Sequence, residues 1–210
     1  MINNDPTNVI ICGVGGQGNV LASLILGRYF VDQGMKVTIG ETYGVSQRGG
    51  AVMSQLRISS KRQAAPLMPS AGAHLVVALE PMEGLRMLAQ FGNPRVAVLT
   101  NTRPWLPMSV LAGEREYPPV SLVLDNMRHY SQSMWKVNAT EIALGLGKAI
   151  LANIVMLGAL QVSGLLSLEE EGVFRALEAS LPKERLEQNL EAFAQGRQAV
   201  ERHLSHVDKG

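Results

Sequence analysis

Six residues near the start of the chain, Gly13-Val14-Gly15-Gly16-Gln17-Gly18, have the spacing G-x-G-x-x-G. They follow a short apolar run and precede a helical one. In that setting glycines permit a tight turn and let a ligand approach the backbone. The first-turn N–H groups and the helix dipole then favour an anion. A second segment, Glu41-Thr42-Tyr43-Gly44-Val45-Ser46-Gln47-Arg48-Gly49-Gly50, sets a phenol, an amide and a guanidinium among glycines. Arg48 has the donor geometry to clamp a carboxylate or phosphate at two points. Glu41 lies about twenty residues beyond the first loop, where a dinucleotide-binding protein keeps the acid that holds its ribose. Two readings of the glycine loop follow: an NAD or FAD site, or close strand–helix packing with Glu41 a loop carboxylate. Gln17 speaks against the nucleotide, because a bulky amide able to hydrogen-bond a partner is not something a phosphate cradle requires.

The elements that must position these residues are readable from periodicity. Asn8–Cys12 is an apolar run stopped by glycine, which reads as a buried parallel strand. Asn19–Gln33 has helical spacing with Gly34 as terminator, and Lys36–Ile39 is a second strand. Glu41–Gly50 reads as a loop leaving that strand at the same edge as the first. Ala51–Ile58 alternates, with Val52, Leu56 and Ile58 on one face and Gln55 and Arg57 on a wetter one. Leu75–Leu79 and Arg95–Thr100 are further strands, with a helix from Pro81 between them. A proline-bearing stretch, Asn101–Pro119, leads to a helix at Val120–Tyr130 and a short strand at Met134–Val137. Everything from Ala139 onward reads as helix, with a capping box at Ser167 and Glu170 and a helix start at Pro182. The expectation is an α/β fold. It has a Rossmann-like, mostly parallel sheet flanked by helices and an all-helical C-terminal segment, in one domain over residues 1–210.

Composition removes several function classes. A formal charge of +1 argues against a polyanion-binding role, so no nucleic-acid partner is expected. The single cysteine, Cys12, cannot build a disulfide framework, a zinc site or an iron–sulfur centre. It reads as a packed side chain in a buried strand. His74, His129, His203 and His206 show no metal-ligand grouping, so no metal site is expected. The first residues lack a signal peptide's basic and apolar regions, which points to the cytoplasm. Ala149–Leu168 carries no charge over about the length of a membrane span. Asn153, Gln161, Ser163 and two glycines interrupt it, so it reads as a buried helix plus a turn, not a membrane segment. A helix apolar on most sides needs a cover, and a second copy of the chain is one candidate. Trp105, in the proline-bearing stretch, is a candidate interface residue.

Taken together, Gly13–Gly18 and Tyr43-Gly44-Val45-Ser46-Gln47-Arg48-Gly49-Gly50 resemble the gamma-type domain of 2-oxoacid:ferredoxin oxidoreductases. Within that family the chain is most similar to the indolepyruvate ferredoxin oxidoreductase beta-subunit group. The resemblance continues through Arg57-Ile58-Ser59, Ala65-Pro66 and Ala152–Gly158, and ends near Gln188-Asn189-Leu190 and Ala194-Gln195-Gly196. It implies coenzyme A-dependent oxidative decarboxylation of a 2-oxoacid, an aryl one in the indolepyruvate group, with ferredoxin reduced through the complex. Thiamine diphosphate and the iron–sulfur clusters would lie on a larger partner subunit. The sequence agrees, having no Gly-Asp-Gly motif of the thiamine type and only one cysteine; Gly145–Ala149 also lacks the hydroxyl residue of a P-loop.

On this reading the chain is inert alone and carries no catalytic residue or bound cofactor. Gly13, Gly15, Gly16, Gln17, Gly18, Glu41, Tyr43, Gly44, Ser46, Gln47, Arg48, Gly49 and Gly50 would face the substrate, coenzyme A or the partner. The alternatives are an NAD- or FAD-binding enzyme, and a non-catalytic interaction module that docks a partner through the apolar 149–168 helix.

Overall fold

A computed structural model describes residues 4–44, 50–106 and 108–207. Its centre is β1 (Thr7–Val14), buried at every position. A strand covered on both faces has no need of alternation, which is why the segment reads as a continuous apolar run. Around it lie β2 (Lys36–Tyr43), β3 (Ala51–Ser59), β4 (Leu75–Ala78), β5 (Ala97–Asn101) and β6 (Ser133–Val137). They form one sheet in the order β2-β3-β1-β4-β5-β6. The β1–β4, β4–β5 and β5–β6 pairings are parallel, and β3 runs antiparallel to both β1 and β2.

Two apolar layers cover the sheet, divided by the two-residue side-chain period of a strand. On one side Val9, Ile11, Leu56, Ile58, Val77 and Leu99 meet α1 (Asn19–Asp32), α6 (Ala152–Val162), α7 (Glu170–Ser180) and α8 (Lys183–Val207). On the other, Ile10, Cys12, Val76 and Val98 meet α2 (Pro81–Phe91) and α4 (Val120–His129). The short helices α3 (Met108–Leu111) and α5 (Ala139–Gly145), and a 3-10 turn at Ala149–Leu151, complete the chain.

Several local expectations hold for visible reasons. Gly34 takes φ +77°, and the Met35 N–H returns to the Phe30 carbonyl at 3.0 Å, closing α1. Pro81 opens α2 behind an N-cap at Glu80. Others are corrected. β2 runs on to Tyr43, so Glu41 and Tyr43 stand on a strand and not in a loop, because β3 pairs with it residue for residue. The wetter face of β3 is covered: Gln55 is buried, its Oε1 accepts the Met68 N–H at 2.8 Å, and Arg57 donates to the carbonyls of Ala65 and Leu67. The helix after Ser167 begins at Glu170 with Glu169 at its N-cap, and the Tyr29 hydroxyl takes the Glu169 N–H at 2.9 Å.

The apolar 149–168 stretch folds as the 3-10 turn, α6 and a following turn; α6 is covered by the same chain from Ala152 to Leu160, while Ile150 in the turn before it stays exposed. Gly158 and Gly196 bring α6 and α8 together so closely that a Cβ on either would lie 2.0 Å from the facing backbone carbonyl, of Phe193 or Val155. This helix is therefore not a docking face for a second copy or another partner. Among the described residues, no helix is long and apolar enough to cross a membrane.

Candidate functional site

The two glycine-bearing segments converge at the C-terminal edge of the sheet. β1 delivers Gly13–Gly18 there, and the β2–β3 hairpin brings Glu41–Gly44 and Gly50 to the same edge. Register pairs Val14 with Ala51 and Tyr43 with Val52. The junction itself is made by backbone: the Gly15 N–H donates to the Gly50 carbonyl at 2.8 Å, and the Gly44 N–H to Ala51 at 2.7 Å. Ser46, Gln47, Arg48 and Gly49 lie outside the described residues.

Within the loop Gly16 and Gly18 take φ +102° and +80°, values that residues with a Cβ rarely adopt. Gly16 is exposed and opens to free space. Gly18 sits under cover, with a hypothetical Cβ only 2.3 Å from Asn153 Nδ2. Asn153, on α6, donates to the Gly18 carbonyl at 3.1 Å. That contact ties the C-terminal helical layer to the loop, and its only sequence signal was a buried polar residue in an apolar helix.

Gln17 does something the sequence reading did not assign to it. Its Oε1 accepts the Val14 N–H at 2.7 Å and its Nε2 donates to the Leu79 carbonyl at 3.1 Å. The amide braces the loop from within. Asn101, at the end of β5, donates to the same Leu79 carbonyl at 3.0 Å and to Thr140 Oγ1 at 2.8 Å. β1, β4 and β5 are thus joined at their ends through one carbonyl. This lies at the switch point of the topology, where the chain passes from one side of β1 to the other. Ligands of open α/β sheets bind in that crevice.

At the outer end Tyr43 is 57% exposed and donates its hydroxyl to the Glu41 carboxylate. That hydrogen bond raises the phenol's pKa above its ordinary value. The dinucleotide arrangement is not built. It needs β2 beside β1, and here β3 separates them. Glu41 therefore stands two strand spacings, about 10 Å, from the glycine strand.

Next to the crevice Glu80 and Glu83 are buried carboxylates, at 1% and 7% exposure. Burial raises the Glu83 pKa, against the lowering effect of Arg86, whose Nη1 lies 2.6 Å from Glu83 Oε1. Cys12, deep in β1, has its thiol pushed well up by burial and by Glu83 and Glu80. It packs within the core. Among the described residues no His, Cys, Asp or Glu cluster is arranged to hold a metal ion. A wide cleft of about 970 Å³ opens at the opposite end of the sheet, lined by His74, Asn93, Arg95 and Gln132 among others. None of the residues singled out in the sequence as functional borders it.

The model of the family described as pyruvate ferredoxin/flavodoxin oxidoreductase matches residues 8–199. The chain is 36% identical to the indolepyruvate oxidoreductase subunit IorB of Archaeoglobus fulgidus over 189 residues, 90% of this chain and 92% of that protein. Among solved structures it is similar to the gamma subunit of keto/oxoacid ferredoxin oxidoreductase from Geobacter sulfurreducens. That match has TM-score 0.65 and 23% identity and covers 92% and 98% of the two chains. It is also similar to 2-oxoglutarate:ferredoxin oxidoreductase from Magnetococcus marinus, solved with 2-oxoglutarate, coenzyme A and succinyl-CoA bound. There the TM-score is 0.73 at 18% identity, over 95% of this chain and 32% of that longer one.

Proposed function

The chain belongs to the pyruvate ferredoxin/flavodoxin oxidoreductase family, and from that premise we propose that it is the accessory, gamma-type subunit of a heteromeric indolepyruvate:ferredoxin oxidoreductase. The reaction takes a 2-oxoacid and coenzyme A to an acyl-CoA and carbon dioxide. The two electrons released pass to ferredoxin, and the thiol proton goes to solvent. Thiamine diphosphate supplies a carbanion equivalent when bound, and iron–sulfur clusters carry electrons. The single, buried cysteine of this chain gives neither clusters nor covalent catalysis a foothold. Both belong on the larger subunit, and the chain is inactive without it.

One observation carries the reading: the Gly15–Gly50 hydrogen bond, which makes one surface of two glycine segments at the sheet's ligand-binding edge. That surface has an open glycine, Gly16, beside the N-terminus of α1, where a phosphate of coenzyme A or the substrate carboxylate is favoured. Arg48 is the second anchor for that anion. Exposed Tyr43, Trp105, Leu106 and Ile150 supply the apolar rim that a covering subunit requires.

The test is reconstitution. The purified larger subunit is assayed for coenzyme A-dependent reduction of ferredoxin by indolepyruvate, with and without this chain. Activity that needs both supports the reading, and full activity of the larger subunit alone refutes it. In the assembled enzyme Arg48→Ala should raise KM for coenzyme A or for the 2-oxoacid at least tenfold. Unchanged constants for both remove Arg48 from the site.

A further inference from the structure

Between β5 and α4 the chain leaves the sheet edge and returns, and a single carboxylate holds both ends of that excursion. Glu80 Oε1 accepts the Tyr117 hydroxyl at 2.5 Å, near the returning end, and the Trp105 N–H at 3.4 Å, near the departing one. Its other oxygen accepts the Glu83 N–H at 2.8 Å as the N-cap of α2. Among the described residues no cation pairs with Glu80, and the nearby Arg86 is turned to Glu83. A carboxylate buried to 1% exposure with no counter-ion is costly.

Capping alone does not call for this residue, since Asp or Ser caps a helix as well or better. Only the extra methylene of Glu carries the second oxygen across to Tyr117. The same dipeptide holds the glycine loop, because the carbonyl of Leu79 receives Gln17 and Asn101. Leu79 and Glu80 therefore fix the glycine loop and the β5–α4 excursion relative to each other. That excursion exposes Trp105 at 43% and Leu106 at 39%. Large apolar side chains next to a tethered backbone lose less entropy on binding than those on a free loop.

We propose that Glu80 is a positioning residue, clasping the β5–α4 excursion so that Trp105 and Leu106 form a preorganised anchor for the larger subunit. The proposal rests on the accessory-subunit reading above. The occupant is that subunit because the glycine loop after β1 and the excursion after β5 leave the same C-terminal edge of the sheet, β1, β4 and β5 being parallel, with Leu79 and Glu80 bracing both. Glu80 acts through the excursion and touches no substrate.

The experiment uses the complete complex. Glu80→Asp keeps the charge and the cap of α2 but is too short to reach Tyr117; Tyr117→Phe breaks the clasp from the other side and leaves the cap alone. Both should weaken assembly with the larger subunit at least tenfold, while kcat of the saturated complex stays within twofold of wild type. Trp105→Ala should weaken assembly at least as much. In a Trp135→Phe background, Trp105 fluorescence anisotropy of the free subunit should fall in both clasp variants. If wild type assembles and turns over but Tyr117→Phe or Trp105→Ala assembles equally tightly, the clasp is refuted and the accessory reading stands. If wild type does not assemble, both fall. A Glu80→Asp chain that fails to fold leaves Tyr117→Phe to decide.

Discussion

Gly18→Ala perturbs the glycine loop where the structure allows the cost to be worked out. Gly18 has φ +80° and ψ 26°, a left-handed conformation that costs a residue with a Cβ about 1–2 kcal/mol. The new methyl would lie 2.3 Å from Asn153 Nδ2 and 3.0 Å from its Cγ, so Asn153 must move. Asn153 is only 2% exposed, and its donation to the Gly18 carbonyl is lost when it does. Leaving a buried polar group unsatisfied costs about 1–3 kcal/mol. A total of about 3 kcal/mol lowers Tm by about 6–12 °C in a chain of this length. Gly16→Ala is the control: it has positive φ and nothing within 4 Å, so it carries backbone strain of about 1–2 kcal/mol with no clash. Calorimetry on both, on Asn153→Ala, and on Gly18→Ala combined with Asn153→Ala gives the control and a full double-mutant cycle. The double variant should be more stable than the sum of the singles predicts, by about 1 kcal/mol or more. Additivity within about 0.3 kcal/mol would refute the claim that Asn153 supports the loop.

Further outcomes are open to equally direct measurement. Gly158→Ala drives a methyl to 2.0 Å from the Phe193 carbonyl, a backbone atom that cannot swing aside; it should cost about 3 kcal/mol by thermal unfolding, whereas Gly145→Ala, in open space at the end of α5, should be neutral or stabilising by up to about 1 kcal/mol. Cys12 should resist a thiol-reactive disulfide reagent for hours in the native state and react within minutes in denaturant, because its thiol is buried and its pKa raised; rapid native labelling would place it elsewhere. Glu83 has its folded pKa raised above the unfolded value, so its contribution is complete below the ordinary carboxylate range and declines as pH rises through the folded pKa. Glu83→Gln should therefore be more stable than wild type near pH 7, with the advantage vanishing near pH 4, as read by Tm across pH.

What the sequence disclosed follows how local each cause is. β1, the terminator Gly34 and the Pro81 helix start depend on a few neighbouring residues, and they are legible. The full length of β2 is not, because Glu41 and Tyr43 join the strand only through pairing with β3. The start of α7 is set at a distance too: Tyr29, far away in sequence, takes the Glu169 N–H. The apolar 149–168 stretch announces the need for a cover, but α8 packs on α6 through two glycines whose closeness no periodicity reveals. At the site, the motifs identified which segments meet. The braces that hold them there come from distant strands and helices: Asn101 and the Leu79 carbonyl bear no local signal, and Asn153 shows only as a polar residue in an apolar helix.

The topology also changes what the glycine loop can be asked to do. In a dinucleotide fold the strand after the first helix lies beside the first strand, and its terminal acid closes one side of the ligand. Here β3 occupies that place, and the Gly15–Gly50 bond seals the gap with the chain's own backbone. An anion at the N-terminus of α1 therefore finds no carboxylate for a ribose on that side. On the other side, Gln17 and Asn101 already fill the contacts of the Leu79 carbonyl, so the switch-point crevice is braced before any ligand arrives. What remains open is the direction away from the sheet, over Gly16. A ligand held there has a floor from this chain and needs its walls from another. On the function proposed above, the same G-x-G-x-x-G spacing, which in isolation suggests a self-sufficient cofactor site, would serve here as a surface completed by a second subunit.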